Sequence, residues 1–341
     1  MSGFRTVPGF EDLWRPPPGL NRRRPETVLR PGPAGGDVRA RLARLAARAP
    51  EVMVKVAGQT KNPAHLRAHL DYITRKGRLE AEDRDGAIFS GRRDMHELAE
   101  DWSALALADR GRHANAPFSR SIILSMPAGT DSAVVHDAAR AFAQTTFADC
   151  FDYVFVLHTD TARPHIHLAV CARGDRGERL LPWMADYAAW RQAFAEALRD
   201  RGVAAEATPR WIRGVTRKSE TTPLRKIRDQ YEAGKGTMAR VRQEAYREAA
   251  MAAFGRDEAL RPWEASLLRD QSRVRGLLMA QAKLLQGSPD QPDRALGVRV
   301  EQYVRDLPAP DSQRLALARE LRAANARLAP DRGDTGKNRS R

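Results

Sequence analysis

The spacing of hydrophobic and polar positions divides the chain into a mixed part and an all-helical part. Between about residues 50 and 215, alternating runs that favour strands are interleaved with amphipathic runs at helical spacing, in the order β-α-β-β-α-β-α-β-β-α. Consecutive strands joined by a short loop pair antiparallel. The pattern therefore predicts an α+β fold with a central antiparallel sheet and flanking helices, and not a Rossmann-type parallel sheet.

The first helix of this mixed region carries clear terminal signals. In "NPAHLRAHLDYITRKG" (62–77), Asn62 stands in the N-cap position, Pro63 in the first helical position and Gly77 at the end. Further along, the Asp85-Gly86 pair predicts the turn of a hairpin or loop.

The regions outside the mixed part lack strand signals. Residues 1–50 are rich in Pro, Gly and Arg before one short helical pattern, which predicts a largely disordered basic arm. Residues 51–215 form the predicted α+β domain. Residues 216–330 are helical and rich in Arg and Gln, and 331–341 form a polar, disordered tail.

Charge indicates a class of partner. The 341 residues include 58 Lys and Arg against 43 Asp and Glu, a formal net charge of +15. A protein this basic usually meets a polyanion, of which nucleic acid is the commonest. Two alternatives stay open, a merely basic soluble protein and one that binds acidic membranes, although no basic amphipathic helix with a Trp-rich face supports the second.

Cysteine usage and hydropathy indicate a compartment. Cys150 and Cys171 allow one disulfide but no disulfide framework, which favours a reducing cytoplasm. The N-terminus lacks a basic-then-apolar signal pattern, and no apolar run approaches membrane-spanning length. We therefore expect a cytoplasmic protein without membrane insertion.

The clearest chemical signal is a cluster of histidines in "YVFVLHTDTARPHIHLAVCARG" (153–174). Strand periodicity places His158 at the end of one strand, and His165 and His167 together on one face of the next. A hairpin over the intervening loop brings the three imidazoles together as a facial metal site with open positions. Asp160, at the same parity as His158, is a candidate acceptor for a ring N–H or for a substrate proton.

The chemistry of the clustered histidines allows alternatives to a metal site. A lone histidine is more often a hydrogen-bonded core residue, but three on one face of a hairpin favour a metal. The cluster has no thiolate, so it is not a structural zinc finger. By softness, three imidazoles suit Mn, Co, Ni or Zn. His65 and His69, one helical turn apart, form a second candidate pair, although no third ligand is visible near them.

The histidine segment resembles a known family motif. His-x-Asp-x-x-x-Pro-His-x-His-x-x-Val, filled as "HTDTARPHIHLAV" (158–170), resembles the third motif of conjugative relaxases. These are mobilisation nucleases of the His-hydrophobic-His superfamily. The similarity is greatest to the P-type group, which includes T-DNA border endonucleases.

Two further segments agree with this resemblance over roughly 52–215. "HLDYITRKGRLE" (69–80) is similar to the first relaxase motif, which implies that Tyr72 is the nucleophile. "SIILSMPAGTD" (121–131) is similar to the second, which implies that Ser125 contacts DNA near the nick. Spacing alone favours Tyr72 as a residue at the edge of the core, and the presence of the third motif reverses that preference.

The resemblance implies a reaction. A relaxase nicks one DNA strand at an origin of transfer, leaving a 5′-phosphotyrosine and a free 3′-hydroxyl, for plasmid or integrative-element mobilisation. It implies Mg²⁺ or Mn²⁺ on His158, His165 and His167, with softer ions binding more tightly. The proton acceptor is Asp160, or His158 if the metal uses only part of the cluster.

The resemblance also implies partners. These are single-stranded DNA at the origin, relaxosome accessory proteins and a type IV secretion coupling protein, and it allows export with the DNA into a recipient cell. Arg75, Lys76 and Arg78 follow the tyrosine and suit phosphate contacts, although a charge run is often only a solvated face.

The sequence leaves three rival functions open. One is a non-catalytic DNA-binding accessory protein of the transfer or replication machinery on the same fold. Another is a metal-dependent phosphohydrolase in which Tyr72 is merely structural. The third is a replication initiator or transposase of the same superfamily, in which the histidine triplet usually precedes the tyrosine.

Overall fold

The computed structural model describes residues 4–14, 37–216, 220–255 and 259–328. By internal packing, the chain forms two compact units. The first comprises Met1–Arg5 with Trp14–Thr208, and the second comprises Thr6–Leu13 with Pro209–Arg341.

The first unit is built on one six-stranded sheet. Its strands are β1 (Met53–Thr60), β2 (Ala81–Asp83), β3 (Ile88–Phe89), β4 (Ser119–Ser125), β5 (Tyr153–His158) and β6 (His165–Cys171). They lie in the order β1-β4-β6-β5-β2-β3, and every neighbouring pair is antiparallel. Gly86, with φ of 82°, lies in the predicted turn between β2 and β3. The predicted central antiparallel sheet is confirmed.

Side-chain alternation gives the sheet two apolar faces. On one face, Phe155 of β5 and Leu168 of β6 are buried in a cluster with Phe142 and Phe194. These two phenylalanines belong to helices α4 (Ser132–Phe147) and α5 (Met184–Arg199). This cluster is the larger hydrophobic core of the unit.

The opposite face is covered by helices α2 (Pro63–Ile73) and α3 (Arg92–Ala108). Val156 and Ala169 of the sheet are buried in one cluster with Leu70 of α2 and Trp102 of α3. The unit is therefore a helix–sheet–helix sandwich, the α+β architecture that the pattern predicts. Because His158 has the parity of Val156, it lies on the face covered by α2.

Helix α2 begins as predicted but ends earlier. The Asn62 side chain accepts a hydrogen bond from the His65 backbone N–H at 2.7 Å, and Pro63 occupies the first position. The helix ends at Ile73 and not at Gly77. The reason is a left-handed backbone turn that begins directly after the helix.

Two parts of the predicted basic arm are ordered. Helix α1 (Val38–Ala46) packs within the first unit, where Arg44 Nε donates to the buried Glu206 carboxylate at 2.7 Å. Phe10 and Leu13 are buried within the second unit. Helix α1 is the short helix that the pattern predicts, whereas the burial of Phe10 and Leu13 was not predicted. Residues 15–36 lie outside the described residues.

The second unit is helical, as predicted for the C-terminal region. Its helices are α6 (Thr222–Glu232), α7 (Arg240–Phe254), α8 (Pro262–Gln286), α9 (Gln291–Arg305) and α10 (Gln313–Leu328). Helix α8 packs along α9, and α7 packs along α10. The predicted polar tail, 331–341, lies outside the described residues.

A buried ion pair links the ends of the second unit's helices. Glu264, in the first turn of α8, is fully buried and accepts hydrogen bonds from Ser312 Oγ at 2.5 Å and Arg314 Nε at 3.0 Å. These hydrogen bonds lower the pKa of Glu264 to about 2, and the bond from Arg314 contributes most. The carboxylate is therefore held ionised in the interior.

Neither cysteine is in a disulfide. Cys150 and Cys171 are both free, so the single possible disulfide is not formed. Burial raises the pKa of Cys171 to about 12, which keeps it a thiol.

Within the described ranges, no helix is both long enough and apolar enough to span a bilayer.

Candidate active site

The β5–β6 hairpin brings the three predicted histidines together. His158 is paired directly with His165 across the strands, and His167 lies two residues further along the same face. One ring nitrogen from each lies within 4.8 Å of the others. The ring centroids are 4.4 to 5.2 Å apart. No other group of three such ligands occurs among the described residues.

Backbone carbonyls orient two of the three rings. His158 Nε2 lies 2.6 Å from the Ile73 carbonyl oxygen, and His165 Nδ1 lies 3.1 Å from that of Arg163. A carbonyl only accepts, so each of these ring nitrogens donates its proton. The lone pairs are then left on His158 Nδ1 and His165 Nε2, the tautomers needed for ligation.

Burial keeps His158 and His167 in the form that binds metals. His167 is 6% exposed, and desolvation, with the neighbouring imidazoles and Arg75, lowers its pKa to about 3. Desolvation also lowers the pKa of His158. A neutral imidazole offers its lone pair without having to lose a proton. The donor set therefore fits a divalent cation with open coordination positions.

Arg75 lies at the exposed side of the cluster. Its Nη2 is 3.4 Å from His158 Nδ1, and it forms an ion pair with Asp160. Asp160 was predicted as a ring N–H acceptor, but the structure gives the His158 proton to the Ile73 carbonyl. No side-chain pattern could have indicated that acceptor, because it is a backbone atom at the end of a different element.

A left-handed turn places Arg75 there. Arg75 and Lys76 have φ of 53° and 60°, and Gly77 has φ of 78°. Thr74 Oγ1 donates to the Leu70 carbonyl at 2.8 Å and accepts from Gly77 N–H at 3.2 Å, which holds the turn. Side chains disfavour this region by about 1–2 kcal/mol per residue, so local packing must hold the turn in place.

The packing at position 77 leaves room only for glycine. A Cβ at this position would lie 2.3 Å from the Arg92 backbone nitrogen and 2.4 Å from the Gly91 carbonyl carbon. The turn after α2 is therefore packed directly against the start of α3. The other two basic residues of the predicted phosphate-contact run, Lys76 and Arg78, are exposed.

Tyr72 projects beside the histidines and out of the core. Its side chain is 57% exposed, while Leu66, Leu70 and Ile73 of the same helix are fully buried. Its ring meets that of His167 edge-on, with centroids 5.7 Å apart and planes at 88°. The Arg75 guanidinium lies 5.8 Å from the tyrosine ring. The phenol is thus accessible and adjacent to the cluster.

Ser125 is near the cluster but is not exposed. It is paired with His165 in the β4–β6 ladder, and its hydroxyl donates to the Pro164 carbonyl at 3.3 Å. Its residue exposure is 7%. The hydroxyl therefore ties the histidine loop to the end of β4.

Among the described residues, the His65–His69 pair on α2 forms no ligand group with a third side chain. His69 Nε2 lies 3.1 Å from Ser121 Oγ on β4, whereas His65 is exposed. Burial lowers the pKa of His69 to about 4. This histidine–serine contact joins α2 to the sheet, and sequence spacing could not indicate it.

A comparison with protein families agrees with this geometry. Residues 72–203 match the family described as relaxase, MobA/VirD2-like, nuclease domain. The matched segment begins at Tyr72 and contains the whole β5–β6 hairpin. This segment of the chain is therefore similar to a relaxase-type nuclease domain.

Curated relatives share this similarity. The chain is 28% identical over 192 residues to the T-DNA border endonuclease VirD2 of Rhizobium radiobacter, covering 50% of this chain and 45% of that protein. It is 28% identical over 190 residues to the protein of the same name from Agrobacterium fabrum, covering 50% and 42%. The chain thus spans less than half the length of these relatives.

One solved structure, titled "Molecular Basis of Vancomycin Resistance Transfer in Staphylococcus aureus", aligns with 47% of this chain and 99% of its own. The sequence identity is 13% and the TM-score is 0.30. A likeness at this level bears on neither the fold nor the function.

Proposed function

We propose that the protein is a DNA relaxase, a site- and strand-specific endonuclease that nicks one strand at an origin of transfer to mobilise a plasmid or integrative element. The observation that carries the proposal is the placement of an exposed tyrosine, Tyr72, edge-on to His167 of the three-histidine cluster. The match of the same segment to the relaxase nuclease family supports it.

In the proposed reaction, the Tyr72 hydroxyl oxygen attacks the scissile phosphorus of single-stranded DNA. The bond from phosphorus to the 3′-oxygen breaks, that oxygen leaves as a 3′-hydroxyl after taking a proton from solvent, and the 5′-phosphate remains on the tyrosine. The phenol must lose its proton, since an ordinary tyrosine titrates near 10. Asp160 is our candidate acceptor, because its partner Arg75 also lies beside the tyrosine ring.

His158, His165 and His167 are the proposed ligands of a divalent cation, Mg²⁺ or Mn²⁺ in use, with softer ions binding more tightly. Such an ion supplies Lewis-acid neutralisation of charge on the phosphoryl oxygens. The protein's own part is to hold the three imidazoles beside the nucleophile, with the tautomers of His158 and His165 fixed by backbone carbonyls.

DNA contacts are assigned by exposure. Lys76 and Arg78 are exposed next to the tyrosine and suit backbone phosphates. Arg75 is available to phosphate once its contact with Asp160 is exchanged. Ser125 is buried, so we assign it an indirect role, positioning His165 through the Pro164 loop, in place of a direct contact near the nick.

The proposed function implies partners and a cellular compartment. A relaxase works in the cytoplasm with relaxosome accessory proteins, and a type IV secretion coupling protein receives the nucleoprotein product. The net charge of +15 supports a polyanionic substrate.

The proposal is tested by covalent trapping. Full-length protein is incubated with Mn²⁺ and single-stranded origin DNA from its own genetic element, labelled on the 3′ side of the nick. A denaturing gel is expected to show labelled protein with the wild type and none with Tyr72→Phe. Tyr231→Phe serves as the matched control, because Tyr231 is an exposed tyrosine, 44% exposed, in the second unit.

Each other outcome identifies a rival. An adduct that survives Tyr72→Phe overturns the assignment of the nucleophile. Cleavage without any adduct favours a metal-dependent phosphohydrolase. DNA binding without cleavage on every origin of the element favours a non-catalytic accessory protein.

A further inference from the structure

The register of the sheet places a lysine in line with the histidine cluster. Lys55 of β1 is paired with Ile123 of β4, and Ile123 is paired with His167 of β6. Directly paired residues point to the same face of a sheet, so Lys55 and His167 share the face on which α2 and α3 pack. Two strand spacings, about 10 Å, separate their backbones.

The neighbouring row of the sheet shows the same alignment. Met53 of β1 is paired with Ser125 of β4, and Ser125 is paired with His165 of β6. The register shift between β1 and β4 falls after Val56, outside both rows. The histidine cluster and this end of β1 therefore belong to one regular stretch of sheet.

The β1 side of this face is open beside the histidines. Among the described residues, the buried cluster under α2 and α3 includes Val156 of β5 and Ala169 of β6 but none of β1. Met53 is 46% exposed, and Lys55 is exposed as well. An accessible strip of the sheet therefore leads from the cluster to the β1 edge.

The Lys55 ammonium is available to a ligand. Across the described ranges, Lys55 makes no ion pair and no side-chain hydrogen bond. Arg75, the cation beside His158, is by contrast already paired with Asp160. A lysine ammonium on its flexible stem binds a phosphate as a point charge.

The position of Lys55 on an edge strand offers a second explanation. Charged side chains, lysine above all, discourage an exposed edge from pairing with another strand, and β1 is an edge strand of the sheet. A lysine on either face of β1 would serve that purpose. Lys55 lies on the face and in the row of His167, which favours a role at the cluster.

We infer that Lys55 binds a backbone phosphate of the single-stranded DNA close to the scissile phosphate, where the strand crosses from the histidine cluster to β1. The inference rests on the proposed function, because it takes the substrate strand to lie at the cluster. Lys55 lies towards β1 and Arg75 lies at His158 of β5, so the two cations flank the cluster. A phosphate contact carries no sequence information, so Lys55 positions the strand and does not select its bases.

Uncharged linkages in the DNA test the contact. Full-length protein without added metal is titrated with fluorescently labelled single-stranded origin DNA, in which one phosphate at a time is replaced by a methylphosphonate, and binding is followed by anisotropy. At one linkage beside the nick, the replacement is expected to weaken wild-type binding about fivefold, the worth of one charge pair at 4 Å in water. In Lys55→Met the same replacement is expected to cost nothing further, because the two changes remove one shared interaction.

Two variants complete the design. Lys55→Arg keeps the charge and should keep the loss at that linkage. Lys61→Met is the matched control and should also keep it, because Lys61 is an exposed lysine beyond the other end of β1, about 20 Å along the strand. With unmodified DNA, the slope of log Kobs against log salt should become shallower by about 0.7 in Lys55→Met, the value for one phosphate contact on a single strand.

Three results overturn the inference. They are no binding of single-stranded DNA, a Lys55→Met protein that keeps every wild-type linkage loss and salt slope, and a loss at the same linkage that also disappears in Lys61→Met. Self-association of Lys55→Met in size-exclusion chromatography, with unchanged DNA binding, would show that the lysine only protects the sheet edge.

Adduct formation at Tyr72 is measured separately. A wild-type adduct together with unchanged DNA binding by Lys55→Met would remove this inference alone. A missing adduct, with the coupling between Lys55 and one linkage intact, would remove the nicking proposal alone.

Discussion

The ring of Tyr72 stands edge-on to the imidazole of His167, with centroids 5.7 Å apart. One residue comes from a helix and the other from a strand, and some ninety positions separate them in the chain. Their contact places an accessible phenol beside the three-histidine cluster, which is the basis of the first prediction.

Replacing His167 with Ala is expected to weaken Mn²⁺ binding by at least about tenfold, because loss of a direct ligand should cost no less than loss of the groups that orient one. Isothermal titration calorimetry measures the effect. His113→Ala, at an exposed histidine outside the cluster, is the control and should bind like the wild type. Equal binding by both variants would contradict the proposed metal site.

Replacing Arg75 with Ala is expected to strengthen Mn²⁺ binding. The guanidinium donates to the lone pair of His158 Nδ1 at 3.4 Å, so it occupies that ligand atom and repels a cation there. Two unit charges at 4 Å in water repel by about 1 kcal/mol, or about fivefold in affinity. Arg78→Ala, at an exposed arginine of the same run, should change affinity less. Weaker binding by Arg75→Ala would mean that its pair with Asp160 helps to assemble the site.

Replacing Gly77 with Ala is expected to lower the free energy of unfolding by about 2–4 kcal/mol. The left-handed backbone costs a side chain about 1–2 kcal/mol, and crowding by the new methyl group adds a similar amount. The crowding arises because the Cβ would lie 2.3 Å from the Arg92 nitrogen. Urea denaturation followed by circular dichroism measures the loss.

Gly86→Ala separates the two causes. Gly86 has φ of 82°, close to that of Gly77, but a Cβ there would meet nothing within 4 Å. Its loss should therefore be only about 1–2 kcal/mol. Equal losses at both glycines would contradict the close packing of the turn against α3.

Glu264 predicts a pH dependence of stability. Its folded pKa of about 2 lies below the ordinary glutamate value, so the ionised carboxylate stabilises the fold. That contribution is fully present above about pH 5 and is lost as pH falls towards 2, with a size on the order of 3 kcal/mol. Unfolding of the full chain followed between pH 7 and pH 2 measures it.

Glu264→Gln should remove most of this pH dependence and destabilise the protein at neutral pH, because the buried Arg314 loses the charge of the Glu264 carboxylate. Glu248→Gln is the control, since Glu248 pairs with Arg261 at an exposed site, where ion pairs contribute under about 1 kcal/mol. An unchanged pH profile in Glu264→Gln would show that the pair does not set acid stability.

Local pattern was sufficient for much of the first unit. Strand parity placed His158, His165 and His167 on one face, and the β5–β6 pairing confirms that placement. Asn62 and Pro63 predicted the start of α2, and the order of strands and helices over this region was predicted correctly. These features depend on residues close together in the chain, so periodicity and capping carry the information.

The sequence could not predict contacts between segments that are far apart in the chain. The Ile73 carbonyl that fixes the His158 tautomer, the close approach of Gly77 to Arg92 and the His69–Ser121 contact have no side-chain pattern of their own. The Pro/Gly/Arg-rich composition of residues 1–50 likewise gave no indication that Phe10 is buried in the second unit.

The sequence by itself determined the elements, the face that carries the histidines and the tyrosine that resembles a relaxase nucleophile. Only the tertiary structure decided that Tyr72 is exposed beside His167 and that Arg75 pairs with Asp160. The reason is physical. Periodicity specifies which side of an element a residue occupies, whereas the packing of elements determines which sides meet.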